Sequence, residues 1–210
     1  HETETKPVES TISADDIVSK PVVLYLSGCD QSGDISTRGR SDVNILAVIN
    51  PETKQILLLS TPRDYYVDLS INKGGMKDKL AHAGIWGIDV SMDTLGNFYG
   101  LDVGMYFKVN FTGFKAVIDA LGGVEVDYDV AFTAGTNASS QSTGRTYTFK
   151  KGINKLDGDA ALAFSRERHA FSDGDRQRGR NQMKVIAGVV KKLQSSAMLT
   201  NYAAIMNSVS

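Results

Sequence analysis

The arginines of this sequence are concentrated in one short stretch. Five of the nine lie between positions 166 and 180, where there is no lysine: Arg166, Arg168, Arg176, Arg178 and Arg180. Arginine presents a planar fork of N–H donors that binds a phosphate or carboxylate through two bonds at once, which lysine does not. The cluster therefore indicates a site that recognises an anion by its geometry.

Part of this cluster lies on a predicted helix that begins after Asp173-Gly174. Its apolar residues recur at helical spacing and define an inward stripe: Val185, Val189 and, near the helix end, Leu193, with Ile186 beside it. Extended backward, the stripe reaches Gln182 and Arg178, whereas Arg176 and Arg180 fall on the opposite side. An inward arginine is costly unless it meets an anion, so Arg178 binds either a ligand or a core carboxylate.

Arg166 and Arg168 follow the apolar run 160–165. An extended segment would place both on one face, where their charges repel unless an anion lies between them. The alternative is an exposed strand edge.

Asp173 and Asp175 are expected to cap the start of the long helix, because carboxylates satisfy free N–H groups there.

A second group of charges falls at the ends of predicted strands. The strands are three short apolar runs: 22–28, 42–49 and 55–60. The short turn between the last two predicts an antiparallel pair, which makes Asp42 a neighbour of Arg63. Asp30 joins them if the first strand runs parallel to the third, and Arg40 precedes the second strand. Two carboxylates and two arginines suit an anion bound together with a divalent cation such as Mg²⁺.

The remaining pattern predicts one α/β domain. Because the strands are apolar on both faces, we expect a sheet covered by helices on both sides. Asn110 or Thr112 begins a predicted helix that stops at Gly122-Gly123. Other predicted segments are a short helix or strand at 156–164, an exposed excursion at 133–148 and a last helix at 202–209. We expect a polar stem at 1–20 and a single domain at 21–210, with a central mixed sheet flanked by helices.

Composition excludes several classes of protein. The chain has 210 residues, 41% of them hydrophobic, and a net charge of -1, so no overall field attracts nucleic acid or a membrane surface. Cys29 is the only cysteine, which excludes a disulfide framework and favours a small buried residue. No apolar run reaches the length of a membrane span and no signal peptide is evident. Since the chain opens on His1, we interpret it as a shortened form.

Several motifs, taken in order, resemble the LytR-CpsA-Psr family from about Val22 to Leu193. They are Ser41-Asp42, Thr61-Pro62-Arg63-Asp64, Asn110-Phe111, Gly122-Gly123-Val124 and the block from Gly158 through Arg178 to Gln182. The resemblance implies a membrane-anchored enzyme on the outer face of a Gram-positive cell membrane, its anchoring helix lying outside this chain. Such an enzyme transfers wall teichoic acid, capsular polysaccharide or a similar glycopolymer from a polyprenyl diphosphate carrier to peptidoglycan.

The resemblance also implies roles for individual residues. Asp30 and Asp42 would hold Mg²⁺ against the diphosphate. Arg63 is the position most tied to catalysis, and Asp64 would orient it. The oxygens of the diphosphate would be bound by Arg40, Arg63, Arg166, Arg168 and Arg178, with Gln182. Some members carry a further arginine one turn later, where this chain has Tyr65-Tyr66-Val67-Asp68.

The expected chemistry is phosphoryl transfer, in which a sugar hydroxyl of peptidoglycan attacks phosphorus and polyprenyl phosphate leaves. The sequence leaves the general base open between Asp42 and Asp64. One alternative is a polyprenyl-diphosphate hydrolase that uses the same site with water as acceptor. A nucleic-acid binder would also use arginines, but the net charge and the lack of a basic stripe with interleaved aromatics count against it.

Overall fold

The computed structural model describes residues 20–29, 38–72, 77–135 and 145–194. The predicted stem, the predicted helix at 202–209, Asp30 and the side chain of Asp175 lie outside this part of the chain. By its internal contacts the chain divides into two compact units, with a boundary between Lys108 and Val109. Each unit has its own hydrophobic core.

The first unit is built on a four-stranded sheet. Its strands are β1 (Val22–Gly28), β2 (Val43–Asn50), β3 (Gln55–Ser60) and β6 (Met105–Val109), in the order β3-β2-β1-β6. A separate antiparallel pair consists of β4 (Tyr66–Asp68) and β5 (Lys77–Lys79). The helices of this unit are α1 (Leu80–Trp86) and α2 (Ile88–Tyr99). The three predicted strands are therefore present, with ends within one residue of the prediction.

The strand directions agree with the sequence pattern. β1 and β3 are each antiparallel to β2, so β1 and β3 run in the same direction. Four consecutive residues of β2, Asn44–Ala47, are buried, which means that both faces of this central strand are covered. β3 is not covered on both faces as predicted. It is an edge strand, and its Leu57 is 57% exposed.

The core of the first unit joins the sheet to α1 and α2. Tyr25 and Leu46, both fully buried, pack in one cluster with Leu80 of α1 and Leu95 of α2. The buried hydroxyl of Tyr25 donates to Asn44 Oδ1 at 2.6 Å, and burial raises the pKa of that hydroxyl. This core supports the strand ends at which the charged residues lie.

Among the described residues, the second unit combines three helices with two antiparallel strand pairs. Its helices are α3 (Phe111–Ala120), α4 (Gly158–Arg166) and α5 (Gly174–Leu193). Its strands are β7 (Val124–Tyr128), β8 (Phe132–Ala134), β9 (Tyr147–Phe149) and β10 (Gly152–Leu156), paired as β10-β7 and β8-β9. Aromatic rings fill the core, where Phe132, Phe149 and Phe164 lie 4.9–5.4 Å from one another between ring centroids.

Most of the predicted boundaries in this unit are correct. Asn110 caps α3 by accepting the Gly113 N–H at 2.8 Å, and the helix ends before Gly122. α5 spans the predicted range. The predicted exposed excursion at 133–148 is wrong at both ends, because β8 and β9 pair there and Ala134 is fully buried.

Candidate active site

The loop that carries Arg63 is fixed at both ends of its turn. Thr61, which follows β3 and is buried, donates its N–H to Asn44 O at 2.9 Å. Its hydroxyl lies 2.8 Å from the hydroxyl of Tyr99 on α2. The Tyr65 N–H donates to Pro62 O at 3.0 Å and closes the turn. The strand end, the proline and these hydrogen bonds thus hold Arg63 in one place.

Arg63 is the centre of a chain of charges. Its guanidinium forms an ion pair with Asp42 and lies 3.4 Å from Asp64, whose other carboxylate oxygen accepts from Lys79 Nζ at 2.8 Å. Partial burial lowers the pKa of Arg63, but Asp42 and Asp64 outweigh this effect and raise it. The hydrogen bond from Lys79 lowers the pKa of Asp64. The predicted contact between Asp42 and Arg63 is confirmed.

Asp42 is positioned by the strand edge from which it projects. Its N–H donates to Gly28 O, the last residue of β1, at 2.8 Å. Asn44, buried beside it, donates from its side chain to Ser41 O at 3.1 Å. The carboxyl ends of β1 and β3 and the start of β2 therefore share one sheet edge, as expected from the turn. Asp30 follows β1 but lies outside the described residues.

Helix α1 connects the loop of Arg63 to the segment of Arg40. At its start, the N–H groups of Leu80 and Ala81 donate to the carbonyls of Tyr65 and Arg63, each at 2.8 Å. Two of its carbonyls accept in turn from the segment 39–41: Ala81 O from Ser41 N, and Gly84 O from Gly39 N. A Cβ at Gly84 would overlap with Gly39 O, so this approach requires glycine. The side chain of Arg40 is exposed.

Asp78 and His82 form a hydrogen-bonded pair near Lys79, which the sequence analysis missed. Nδ1 of His82, in α1, lies 2.9 Å from both carboxylate oxygens of Asp78, four residues earlier in β5. This hydrogen bond lowers the pKa of Asp78. The spacing of four residues at a helix start is the signal by which the pair is found in sequence.

In the second unit, Arg166 is the last residue of α4. Its guanidinium lies over the ring of Phe111 at 4.2 Å from the ring centroid, a cation–π contact. The segment 156–164, which the sequence left open between a short helix and a strand, is thus largely helical, and Arg166 and Arg168 do not share an extended segment. The chain becomes extended only at Glu167.

Helix α5 presents its residues largely as the apolar spacing predicted. Val185 is buried, Arg178 and Gln182 are half-buried, and Arg176 and Arg180 are exposed. At the far end of the helix the predicted stripe is wrong, since Leu193 is 49% exposed.

The start of α5 also differs from the prediction. Asp173 occupies the N-cap position, but its side chain makes no capping hydrogen bond. Its carboxylate instead forms an ion pair with Arg180 two turns along the helix.

Two fully buried polar residues were missed by sequence reasoning, Asn181 and Glu167. Asn181 accepts from the Tyr128 hydroxyl at 2.7 Å and donates to Phe164 O at 3.1 Å. Burial raises the pKa of the Tyr128 hydroxyl, which also accepts from Gln177 at 2.6 Å. Asn181 carries no local signal, because its partners Tyr128 and Phe164 lie 53 and 17 residues away in sequence.

The described residues contain no group of three or more His, Cys, Asp or Glu side chains arranged around a common metal position. Of the two predicted metal ligands, Asp42 lies among the described residues and Asp30 does not. A single carboxylate nonetheless fits Mg²⁺, which takes one or two from the protein and completes its shell with water and phosphate oxygens.

None of the helices in the described ranges is long and apolar enough to cross a membrane.

A family profile, curated proteins and solved structures all relate this chain to one family. The LytR_cpsA_psr family profile matches residues 1–210. The polyisoprenyl-teichoic acid–peptidoglycan teichoic acid transferase TagU of Enterococcus faecalis is 38% identical over 193 residues, covering 91% of this chain and 60% of the relative. The chain thus spans about three fifths of the curated relatives that it matches.

Solved structures share the fold. The crystal structure of B. subtilis TagV superposes with a TM-score of 0.76 at 30% identity, over 91% of this chain and 72% of that one. The family protein YwtF (TagT) with bound octaprenyl pyrophosphate lipid has a TM-score of 0.65 at 27% identity, over 96% of this chain and 78% of that one. These matches confirm the predicted α/β fold. With a family profile along its whole length, this chain belongs to the LytR-CpsA-Psr family.

Proposed function

We propose that this chain is the catalytic domain of an enzyme that transfers an anionic glycopolymer from a polyprenyl diphosphate carrier to peptidoglycan. The observation that carries the proposal is Arg63, held at the sheet edge between two carboxylates. The relatives support it, because TagU of Enterococcus faecalis is named as a teichoic acid transferase and the TagT structure contains octaprenyl pyrophosphate. The enzyme would act at the cell envelope, on the outer face of the membrane.

The proposed ligands of the diphosphate are those implied by the family motifs. They are Arg40, Arg63, Arg166, Arg168 and Arg178, with Gln182. Asp42 and Asp30 would hold Mg²⁺, which would neutralise charge on the phosphate oxygens when bound. Phosphoryl transfer depends mainly on positioning and charge neutralisation, and guanidinium groups supply both.

In the proposed reaction, a sugar hydroxyl of peptidoglycan attacks the phosphorus that carries the glycopolymer. A P–O bond to the sugar forms, the P–O bond to polyprenyl phosphate breaks, and the hydroxyl proton passes to a base. Asp64 is a poor candidate for this base, because Lys79 lowers its pKa and a weaker base takes up a proton less readily. We assign Asp64 to the orientation of Arg63, which it contacts at 3.4 Å.

Binding of the carrier is tested by native mass spectrometry with a short prenyl diphosphate, with and without Mg²⁺. We expect one bound molecule, with tighter binding in the presence of Mg²⁺. Arg178→Ala should weaken binding roughly 10- to 100-fold, as expected for lost hydrogen bonds to a charged group. Arg176→Ala is the matched control, because Arg176 lies exposed on the same helix. Equal binding by both variants would remove Arg178 from the site.

A further inference from the structure

A buried carboxylate lies between two of the proposed diphosphate ligands. Glu167 follows Arg166 and precedes Arg168, and it has no exposed surface. Burying a carboxylate is costly unless hydrogen bonds replace the lost water, so such a residue is retained only where those bonds are supplied. Here the backbone supplies them.

Four backbone N–H groups donate to this carboxylate. Three come from consecutive residues and converge on Oε1: Arg168 at 3.0 Å, His169 at 2.7 Å and Ala170 at 3.1 Å. The fourth, from Gly135 at the end of β8, reaches Oε2 at 3.1 Å. Successive N–H groups that point at one atom form a nest, a known way of binding an anion. The anion in this nest is the chain's own side chain.

The nest determines the path of the backbone at Arg166 and Arg168. Arg166 ends α4, and the three bonds to Oε1 fix the chain immediately after it. From the other side, the ring of Phe111 packs against the guanidinium of Arg166. Arg166 is thus restrained at its side chain by Phe111 and at its backbone by Glu167, while Arg168 is held by its own N–H.

We infer that Glu167 is a positioning residue, which sets Arg166 and Arg168 in the geometry needed to bind the carrier diphosphate. This inference rests on the proposed function. A shift of about 1 Å in a positioning group can cost on the order of 10²-fold in rate, so disruption of the nest should be felt at the site even though Glu167 contacts no substrate.

The test compares Glu167→Ala and Glu167→Gln with the wild-type chain. Alanine empties the nest. Glutamine keeps one oxygen in it, but it loses the negative charge and replaces the acceptor for Gly135 by an NH2 group. Glu125→Gln is the matched control, because Glu125 lies in the same unit with an exposed side chain. Two quantities are measured: amide hydrogen exchange at residues 168–170, and the affinity for a short prenyl diphosphate.

We expect exchange at residues 168–170 to accelerate at least about tenfold in Glu167→Ala, with a smaller change in Glu167→Gln and none in Glu125→Gln. Affinity should fall in the same order. Formate should restore both exchange protection and affinity in Glu167→Ala, because it enters the vacated nest. It should not do so in Glu167→Gln, where the side chain still fills the space. A purely structural role would lower thermal stability without following this order in affinity.

Two results would overturn the inference. One is a Glu167→Ala variant that binds prenyl diphosphate as tightly as the wild-type chain. The other is unchanged exchange at residues 168–170, which would mean that Glu167 does not order the loop. Failure of the wild-type chain to bind prenyl diphosphate would instead contradict the proposed function, while hydrogen exchange and formate would still decide whether Glu167 orders the loop.

Discussion

At the scale of single residues, the candidate site depends on charges that hold one another. Arg63 is paired with Asp42 and contacts Asp64, and Lys79 occupies the other oxygen of Asp64. Because these side chains are partly exposed, water screens the pairs and their contribution to stability is small. Their role is to fix the orientation of Arg63, which an isolated guanidinium at the surface would lack.

The pKa of Asp64 provides a direct test of this chain of charges. Lys79→Ala should raise it toward the ordinary aspartate value of about 3.9, because the largest lowering contribution is lost. The measurement is a carboxyl-carbon NMR titration, with Lys77→Ala in the same strand as control.

The lowered pKa of Asp64 also determines how stability changes with pH. A carboxylate with a lowered pKa in the folded state contributes stability above its unfolded pKa, and loses it as the pH falls through the lowered value. The wild-type chain should therefore keep this contribution further into acid than Lys79→Ala does. An unchanged pKa of Asp64 in Lys79→Ala would show that Lys79 does not hold Asp64 in solution.

At the scale of elements, helix α1 is the part that joins the two arginine-bearing segments of the first unit. It receives hydrogen bonds from the segment of Arg40 and donates to the loop of Arg63. Gly84 allows this because the carbonyl of Gly39 occupies the space in which a side chain would begin.

The Gly84→Ala variant distinguishes the effect of the close approach between Gly84 and Gly39 O from the effect of helix propensity on stability. Alanine in a helix is intrinsically favoured over glycine by about 1 kcal/mol. We expect the opposite sign, a loss of about 1–3 kcal/mol in the free energy of unfolding, because the new methyl group overlaps with backbone. Urea denaturation measures it. A stabilised variant would contradict the close approach of α1 to residues 39–41.

The buried side-chain amide of Asn181 connects helix α5 to Tyr128 and Phe164. Asn181→Leu would leave both the Tyr128 hydroxyl and the Phe164 carbonyl without this partner. We expect a loss of about 1–3 kcal/mol in the free energy of unfolding, measured by urea denaturation. Tyr128→Phe completes a double-mutant cycle, which should show coupling between the two positions. Additive effects would mean that the hydrogen bond contributes little.

At the scale of the whole molecule, local patterns predicted much of the fold and part of the site. The contact between Asp42 and Arg63 was predictable because a short turn sets the register of two adjacent strands. The segment before Arg166 stayed open between helix and strand, because a short apolar run is compatible with either. Asn181 was missed because its partner Tyr128 lies 53 residues away. A polar residue that is satisfied over such a distance resembles a surface residue in sequence. Glu167 was missed although three of its four donors directly follow it, because only the fold buries its carboxylate.

The proposed activity is the transfer of a glycopolymer to a saccharide acceptor. The most direct measurement supplies a synthetic prenyl-diphosphate-linked glycan and a peptidoglycan fragment, and follows both the glycan on the fragment and the prenyl phosphate released. We expect the glycan to appear on the fragment, with release that depends on the acceptor. Arg63→Ala should fold normally and lose about 10²–10³-fold in rate, while Arg176→Ala retains it. Prenyl phosphate released equally with and without the fragment, with no glycan attached, would contradict transfer and identify a hydrolase.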